Sequence, residues 1–156
     1  MSDQEFYTFR EYLRTDHEDL SPSAEDYLEM IYRLSKDSGY TRAGDLAQAL
    51  NVQPPSVTSM VKKLAEMSLI KYEKYGLIIM EPNGLAKGKA LLLRHDLVES
   101  FLKFLNIKND LLEETEKIEH TLNEEILTSI QDLLDFFQYN GAVKEEFLEF
   151  CSLRHR

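Results

Sequence analysis

Residues 43–80 place two short helical patterns ahead of two β-rich runs, and this order constrains the fold more than any other stretch. The first helical pattern covers 43–50, and Pro54 opens the second after the short break at 51–53. Proline is tolerated in the first turn of a helix, where its missing N–H would have no partner anyway. Two helices joined by so tight a turn predict a helix-turn-helix, whose second helix would read the DNA major groove.

The β-rich runs 69–73 and 77–80 surround Lys74-Tyr75-Gly76 and predict a β-hairpin. A helix-turn-helix followed at once by a hairpin is a winged helix, whose wing tip would lie along the phosphate backbone or the minor groove. Taken singly, the helix pair also fits an ordinary helical bundle, and the hairpin fits a small structural element. Their order in the chain favours the winged helix.

Several residue types on these elements suit contacts with DNA. Small hydroxyls approach base edges closely, and lysine side chains reach phosphates. The candidates for DNA contacts are Thr41, Arg42, Gln53, Pro55, Ser56, Thr58, Ser59, Lys62, Lys63, Lys74 and Tyr75.

The charge distribution agrees with this placement. The formal net charge is −10, which by itself argues against a nucleic-acid partner. Basic residues nevertheless outnumber acidic ones between residues 41 and 94, whereas residues 1–40 and 95–156 are acidic. The middle of the chain is therefore the part that can touch phosphates. The single cysteine, Cys151, excludes an internal disulfide, and no apolar run is long enough to span a bilayer. We expect a soluble, cytoplasmic protein that makes no membrane contact.

A second feature is the run Glu116-Lys117-Ile118-Glu119-His120. On a helix its two glutamates and its histidine share one face, where they repel one another unless a cation lies between them. Flanking apolar residues are expected to form the buried side of this helix: Leu111, Leu112, Ile118 and Leu122. A solvated acidic face is the alternative for such a run.

Two other helices offer similar donors. Asp26 and Glu29 are three residues apart on a helix expected to start at Ser21-Pro22 and to end near Lys36, and His95 lies on a long helix expected over 85–105. Asp26 also fits a simple role in complementing the helix dipole. Together the six carboxylate and imidazole donors are enough for one or two divalent ions.

The remaining patterns complete a mainly α-helical fold. Phe6, Phe9 and Leu13 have helical spacing in an N-terminal extension, and two further helices are expected over 124–137 and 143–151. The predicted architecture is an N-terminal winged helix-turn-helix of three helices and a β-hairpin, joined by a long helix to an all-helical metal-binding and dimerisation domain. The expected divisions are 1–20 for the extension, 21–82 for the DNA-binding domain and 83–156 for the helical domain.

Four segments together resemble the manganese-responsive repressors of the diphtheria toxin repressor family, from Ser21 to the final helix. They are residues 23–29, the step Arg94-His95-Asp96-Leu97, the wing over 72–77, and Glu116-x-x-Glu119-His120. The resemblance implies a homodimeric transcription factor that binds Mn²⁺ and then double-stranded operator DNA controlling manganese transport. It also implies two Mn²⁺ ions per subunit, bridged by a glutamate, with the ligands Asp26, Glu29, His95, Glu116, Glu119 and His120.

Iron-responsive relatives resemble this chain in outline but carry Met and Cys where Asp26 and Glu116 stand, and they usually add a further C-terminal domain. Oxygen and nitrogen donors without a thiolate suit a hard or borderline ion, which favours manganese. An Fe²⁺-responsive repressor and a winged-helix regulator of an organic ligand are the alternatives. A di-metal carboxylate enzyme would need Glu-x-x-His pairs, but Glu119 follows Glu116. We therefore expect no enzyme and no small organic substrate.

Overall fold

The computed structural model describes residues 20–154, so the expected helix with Phe6, Phe9 and Leu13 lies outside the described residues. The chain divides into two compact units between Leu93 and Arg94. In the described residues, helices predominate and the strands form one small sheet. The predicted mainly α-helical fold with a winged helix is confirmed.

The first unit begins with helix α1 (Pro22–Ser35). The Ser21 hydroxyl accepts a hydrogen bond from the Ala24 N–H at 3.3 Å, so the predicted serine cap and first-turn proline are confirmed. Helices α2 (Ala43–Leu50) and α3 (Pro54–Glu66) follow as expected. Between them Asn51 takes a left-handed conformation and its N–H closes the end of α2, which makes the tight turn.

Three short strands form one antiparallel sheet: β1 (Tyr40–Arg42), β2 (Ile70–Tyr72) and β3 (Leu77–Met80), in the order β1-β3-β2. The predicted hairpin is β2–β3, with Ile70 opposite Met80. Its tip is a 3-10 turn, Lys74–Gly76, in which both Tyr75 and Gly76 have positive φ. Strand β1 was not predicted because three residues show no alternation of their own, and its partner lies far along the chain.

The core of the first unit joins α1, α2 and α3 to the sheet. Its largest fully buried side chains are Leu28, Ile31, Leu46, Val57, Val61, Leu64, Ile70 and Ile78. Burying each such side chain contributes roughly 1.5–3 kcal/mol to folding. Because α3 contributes Val57, Val61 and Leu64 to this core, its rotation about its own axis is fixed.

Helix α4 (Pro82–Phe104) starts three residues earlier than the helix expected from Leu85. The helix can begin at Pro82 because proline fits the first turn, and the Leu85 N–H donates to the Glu81 carbonyl oxygen at 2.8 Å. Gly88 lies so close to α1 that an added Cβ would stand 2.7 Å from Cβ of Tyr32. A glycine is therefore required at this approach.

The second unit contains the end of α4 and helices α5 (Leu111–Glu119), α6 (Glu124–Tyr139) and α7 (Gly141–Arg154). The last two confirm the helices predicted over 124–137 and 143–151, with additional residues at their ends. Phe104, Phe137 and Phe147 form an aromatic cluster with ring centroids 4.9–5.3 Å apart. Within residues 20–154, no helix has the length and apolar character needed to cross a bilayer.

Candidate metal centre and DNA-contacting surface

In the second unit, His95 on α4 and Glu119 on α5 form a buried pair. His95 Nδ1 lies 3.2 Å from Glu119 Oε1, and the two side chains are only 7% and 2% exposed. The other carboxylate oxygen, Glu119 Oε2, is buried and has no hydrogen-bond partner among the described residues. A buried carboxylate oxygen without a partner is costly, and a bound cation would remove this cost.

His120 is the residue that ends α5, and it joins this pair. Its Nε2 lies 3.9 Å from Glu119 Oε1, and its Nδ1 lies 3.0 Å from Nη2 of Arg94. The predicted donors His95, Glu119 and His120 are thus brought together within the second unit. Two imidazoles and a carboxylate with an unsatisfied oxygen fit a divalent cation of hard or borderline character.

The outer face of α5 behaves as an ordinary solvated surface. Lys117 Nζ lies 2.6 Å from Glu113 Oε1 and 3.1 Å from Glu114 Oε1. The hydrogen bond from Lys117 and its charge lower the pKa of the Glu113 carboxyl. Glu116 is also exposed, so its role as a ligand stays a prediction.

The expected apolar side of α5 needs correction. Leu112 is 58% exposed, whereas Thr115 and Glu119 are the buried residues of this helix. The helix is short, and its inward face carries polar groups: the Thr115 hydroxyl donates to the Leu111 carbonyl oxygen at 2.7 Å. The polar inward face is consistent with a binding role for Glu119.

In the first unit, α1 carries Asp26 and Glu29, and both are half-buried. Arg33 Nη2 donates to Glu29 Oε1 at 2.8 Å, one turn further along the helix. The helix start is capped by Ser21. Capping therefore does not require Asp26.

Helix α3 separates an apolar face from a polar face. Val57, Val61 and Leu64 are buried, whereas the predicted DNA contacts on the other side are exposed: Gln53, Pro55, Ser56, Ser59, Lys62 and Lys63. Thr58 is half-buried, and its hydroxyl donates to the Pro54 carbonyl oxygen at 3.2 Å. Thr58 can therefore offer DNA only its acceptor lone pairs and its methyl group.

At the wing, Tyr75 is 91% exposed and Lys74 is exposed as well. Arg42 lies at the end of β1, and its Nη1 donates to the Tyr75 carbonyl oxygen at 3.2 Å. Thr41 is only 4% exposed because its side chain faces the core of the first unit, opposite Ile78 in β3. The expectation of a side-chain contact from Thr41 to DNA does not fit this burial.

Sequence reasoning missed two arginine roles. Arg42 was predicted as a DNA contact, but its hydrogen bond to the Tyr75 carbonyl oxygen in the wing was not. Arg94 was predicted only as part of a motif, and its hydrogen bond to His120 was not. Both partners lie 26 residues or more away along the chain. The only local signal was the position of Arg94 beside a candidate ligand.

Comparison with known families identifies both halves of the chain. The model described as iron dependent repressor, N-terminal DNA binding domain, matches residues 19–78, and the model described as iron dependent repressor, metal binding and dimerisation domain, matches residues 81–148. The chain belongs to the iron-dependent repressor family. The family resemblance predicted from the sequence is confirmed.

Relatives within the iron-dependent repressor family include two Bacillus regulators. The HTH-type transcriptional regulator MntR of Bacillus pumilus (strain SAFR-032) is 43% identical over 119 residues, which are 76% of this chain and 83% of that protein. The protein of the same name from Bacillus subtilis (strain 168) is 39% identical over 127 residues, which are 81% of this chain and 89% of that protein. The family consists of transcriptional repressors, so this chain is a transcriptional regulator and not an enzyme.

A solved structure of the manganese regulator SloR has a TM-score of 0.65 and 31% identity, over 75% of this chain and 55% of that chain. The structure of the metal-dependent transcriptional regulator MtsR has a TM-score of 0.67 and 28% identity, over 75% and 55% of the two chains. The chain spans about half the length of these solved structures.

Proposed function

We propose that this protein is a Mn²⁺-activated repressor that binds double-stranded operator DNA as a homodimer and controls manganese uptake. The observation that carries the proposal is the unsatisfied, buried Glu119 Oε2 beside His95 and His120. The similarity to the manganese regulator SloR supports manganese as the metal. The MntR relatives, of which this chain covers 83% and 89%, support a role as a transcriptional regulator. Because its proposed partner is operator DNA, the protein would act in the cytoplasm.

The proposed ligands are the six predicted residues, which would hold two Mn²⁺ ions per subunit: Asp26, Glu29, His95, Glu116, Glu119 and His120. A bound cation supplies positive charge that offsets the repulsion among four carboxylates. The oxygen donors at Asp26 and Glu116, in place of a thioether and a thiolate, favour Mn²⁺ over Fe²⁺. This donor set is therefore the argument against the iron-responsive alternative.

The proposed DNA-contacting residues lie on the exposed side of α3 and on the wing. Arg42 would hold the wing in place through its hydrogen bond to the Tyr75 carbonyl oxygen. Helix α3 presents Ser56 and Ser59 for base edges, and Lys62 and Lys63 for phosphates. Activation by the metal means that metal occupancy would be coupled to DNA affinity. A coupling free energy of roughly 1–3 kcal/mol is sufficient for such regulation. A two-fold dimer would also require half-sites separated by about 34 Å or a multiple of it.

The test uses the full-length, chelator-stripped protein and a duplex selected from a random DNA pool in the presence of Mn²⁺. Calorimetry gives the Mn²⁺ stoichiometry, and fluorescence anisotropy gives the DNA affinity at increasing free Mn²⁺, or at increasing Fe²⁺ under anaerobic conditions. We expect two Mn²⁺ per subunit and a DNA affinity that rises at least fivefold with Mn²⁺. Tight DNA binding that is unaffected by chelation would contradict the proposal and favour a regulator of another ligand.

A further inference from the structure

Arg94 is buried at 8% exposure, on α4 immediately before His95. Its Nη2 lies 3.0 Å from Nδ1 of His120. The Arg94 side chain therefore places a cation against one of the proposed ligands.

Hydrogen-bonding rules fix the proton on His120 in this arrangement. A guanidinium nitrogen is only a donor, so His120 Nδ1 must be the acceptor and must keep its lone pair. A neutral imidazole that accepts at Nδ1 carries its proton on Nε2. His120 is therefore the neutral Nε2–H tautomer while the bond to Arg94 exists.

This tautomer cannot also bind a metal ion. Ligation through Nε2 requires the lone pair that the proton occupies, and ligation through Nδ1 requires the lone pair that Arg94 uses. The hydrogen bond from Arg94 to His120 and the ligation of His120 are thus mutually exclusive, whichever nitrogen is the ligand.

We propose that Arg94 is a positioning residue that competes with the metal for His120 and thereby sets the metal concentration at which the protein responds. The inference rests on the proposed role of His120 as a ligand. In the metal-free protein, Arg94 holds the imidazole beside Glu119, whose Oε1 lies 3.9 Å from His120 Nε2. Metal binding breaks the bond between Arg94 and His120, and this cost lowers the affinity of the site.

The first test observes the tautomer directly in the wild-type protein. The chain has only four histidines, so ¹⁵N-histidine labelling gives a resolvable spectrum, and His120→Gln assigns the signals. We expect the metal-free protein to show Nε2–H at His120. Addition of Cd²⁺, a diamagnetic probe, is expected to move the resonance of the ligating nitrogen. An Nδ1–H tautomer in the metal-free protein would overturn the inference even if Cd²⁺ binds His120.

The second test measures competition. Arg94→Met removes the donor, and Lys103→Met removes one positive charge from the same helix, where Lys103 pairs with Glu99 at the surface. A hydrogen bond that involves a charged group contributes enough for about a tenfold change in affinity or more. We expect Mn²⁺ to bind Arg94→Met about tenfold more tightly by calorimetry and Lys103→Met within about twofold of wild type, because exposed charges more than a Debye length away are screened.

A double-mutant cycle separates direct competition from a general effect of charge. In the His120→Gln background there is no imidazole to release, so Arg94→Met should no longer tighten Mn²⁺ binding. An equal gain in both backgrounds would overturn the competition. If His120 signals do not respond to Cd²⁺ and His120→Gln binds Mn²⁺ like wild type, the proposed ligand role itself fails. The two failures are therefore distinguishable.

Discussion

Arg42 Nη1 donates a hydrogen bond to the Tyr75 carbonyl oxygen at 3.2 Å, which connects the end of β1 to the wing tip. Tyr75 has φ 62°, a left-handed conformation that is unfavourable for a residue with a side chain. The bond from Arg42 helps to hold this conformation and so positions Lys74 and Tyr75 beside each other at the tip.

Replacing Arg42 by Met is expected to loosen the wing and lower DNA affinity by a few fold. If Arg42 only holds the wing in place, the slope of log affinity against log salt concentration should be the same as in the wild type. If Arg42 also binds a phosphate, the slope should fall by about 0.9. Anisotropy titrations at several salt concentrations decide between these roles, and unchanged affinity would exclude both.

The exposed face of α3 should divide into two kinds of DNA-binding residue. Lys62→Ala and Lys63→Ala are expected to weaken binding to all sequences, with a slope shallower by about 0.9 for each phosphate that the variant no longer binds. Ser56→Ala and Ser59→Ala are expected to change the preferred bases instead. Selection of duplexes from a random pool measures the preference. If none of the four substitutions alters DNA binding, α3 is not the reading helix.

Glu119→Gln keeps the side-chain volume but removes the buried negative charge. We expect the metal-free variant to be as stable as the wild type or more so, because burying the neutral amide costs less than burying the charged carboxylate. Mn²⁺ should raise the Tm of the wild type by mass action and that of the variant very little. Glu113→Gln, at an exposed carboxylate of the same helix, is the matched control. Equal shifts in Tm for Glu119→Gln and wild type would refute the ligand role.

Asp26→Met replaces a hard oxygen donor by a soft, neutral sulfur. Mn²⁺ is the weakest binder of the first-row series, so it depends most on carboxylate charge. We expect Mn²⁺-activated DNA binding to fall more than Co²⁺- or Fe²⁺-activated binding, whereas Glu25→Met should preserve the wild-type order of metals. Anisotropy against each free metal, without oxygen for iron, gives the order. If Asp26→Met keeps the wild-type order in which the metals activate DNA binding, Asp26 is not a ligand and only contributes to the start of the helix.

Replacing Gly88 or Gly44 by alanine should have opposite effects on the stability of the protein. Gly88→Ala would place Cβ 2.7 Å from Cβ of Tyr32, and such overpacking costs about 1–3 kcal/mol. Gly44 in α2 has open space around the added Cβ, so Gly44→Ala should stabilise the protein by up to about 1 kcal/mol. Thermal or urea unfolding measures both free energies. A neutral Gly88→Ala would show that α1 and α4 separate easily.

Local signals account for the elements that could be predicted from sequence. The Ser21-Pro22 start of α1, the turn after α2, the hairpin and the last two helices all depend on residues within a few positions of one another. Capping, proline geometry and hydrophobic spacing act over that range. The motif Glu116-x-x-Glu119-His120 also came from local spacing, and its resemblance to a family indicated the metal.

Tertiary structure decided what local spacing could not. Strand β1 exists because β3 pairs with it, and that pairing buries Thr41. On α5, the sequence offered four glutamates beside apolar residues that were expected to form the buried side. Packing selected Glu119 and left Leu112 exposed. The bonds from Arg42 to Tyr75 and from Arg94 to His120 likewise join residues distant in sequence, so only the folded chain determines which charged groups meet.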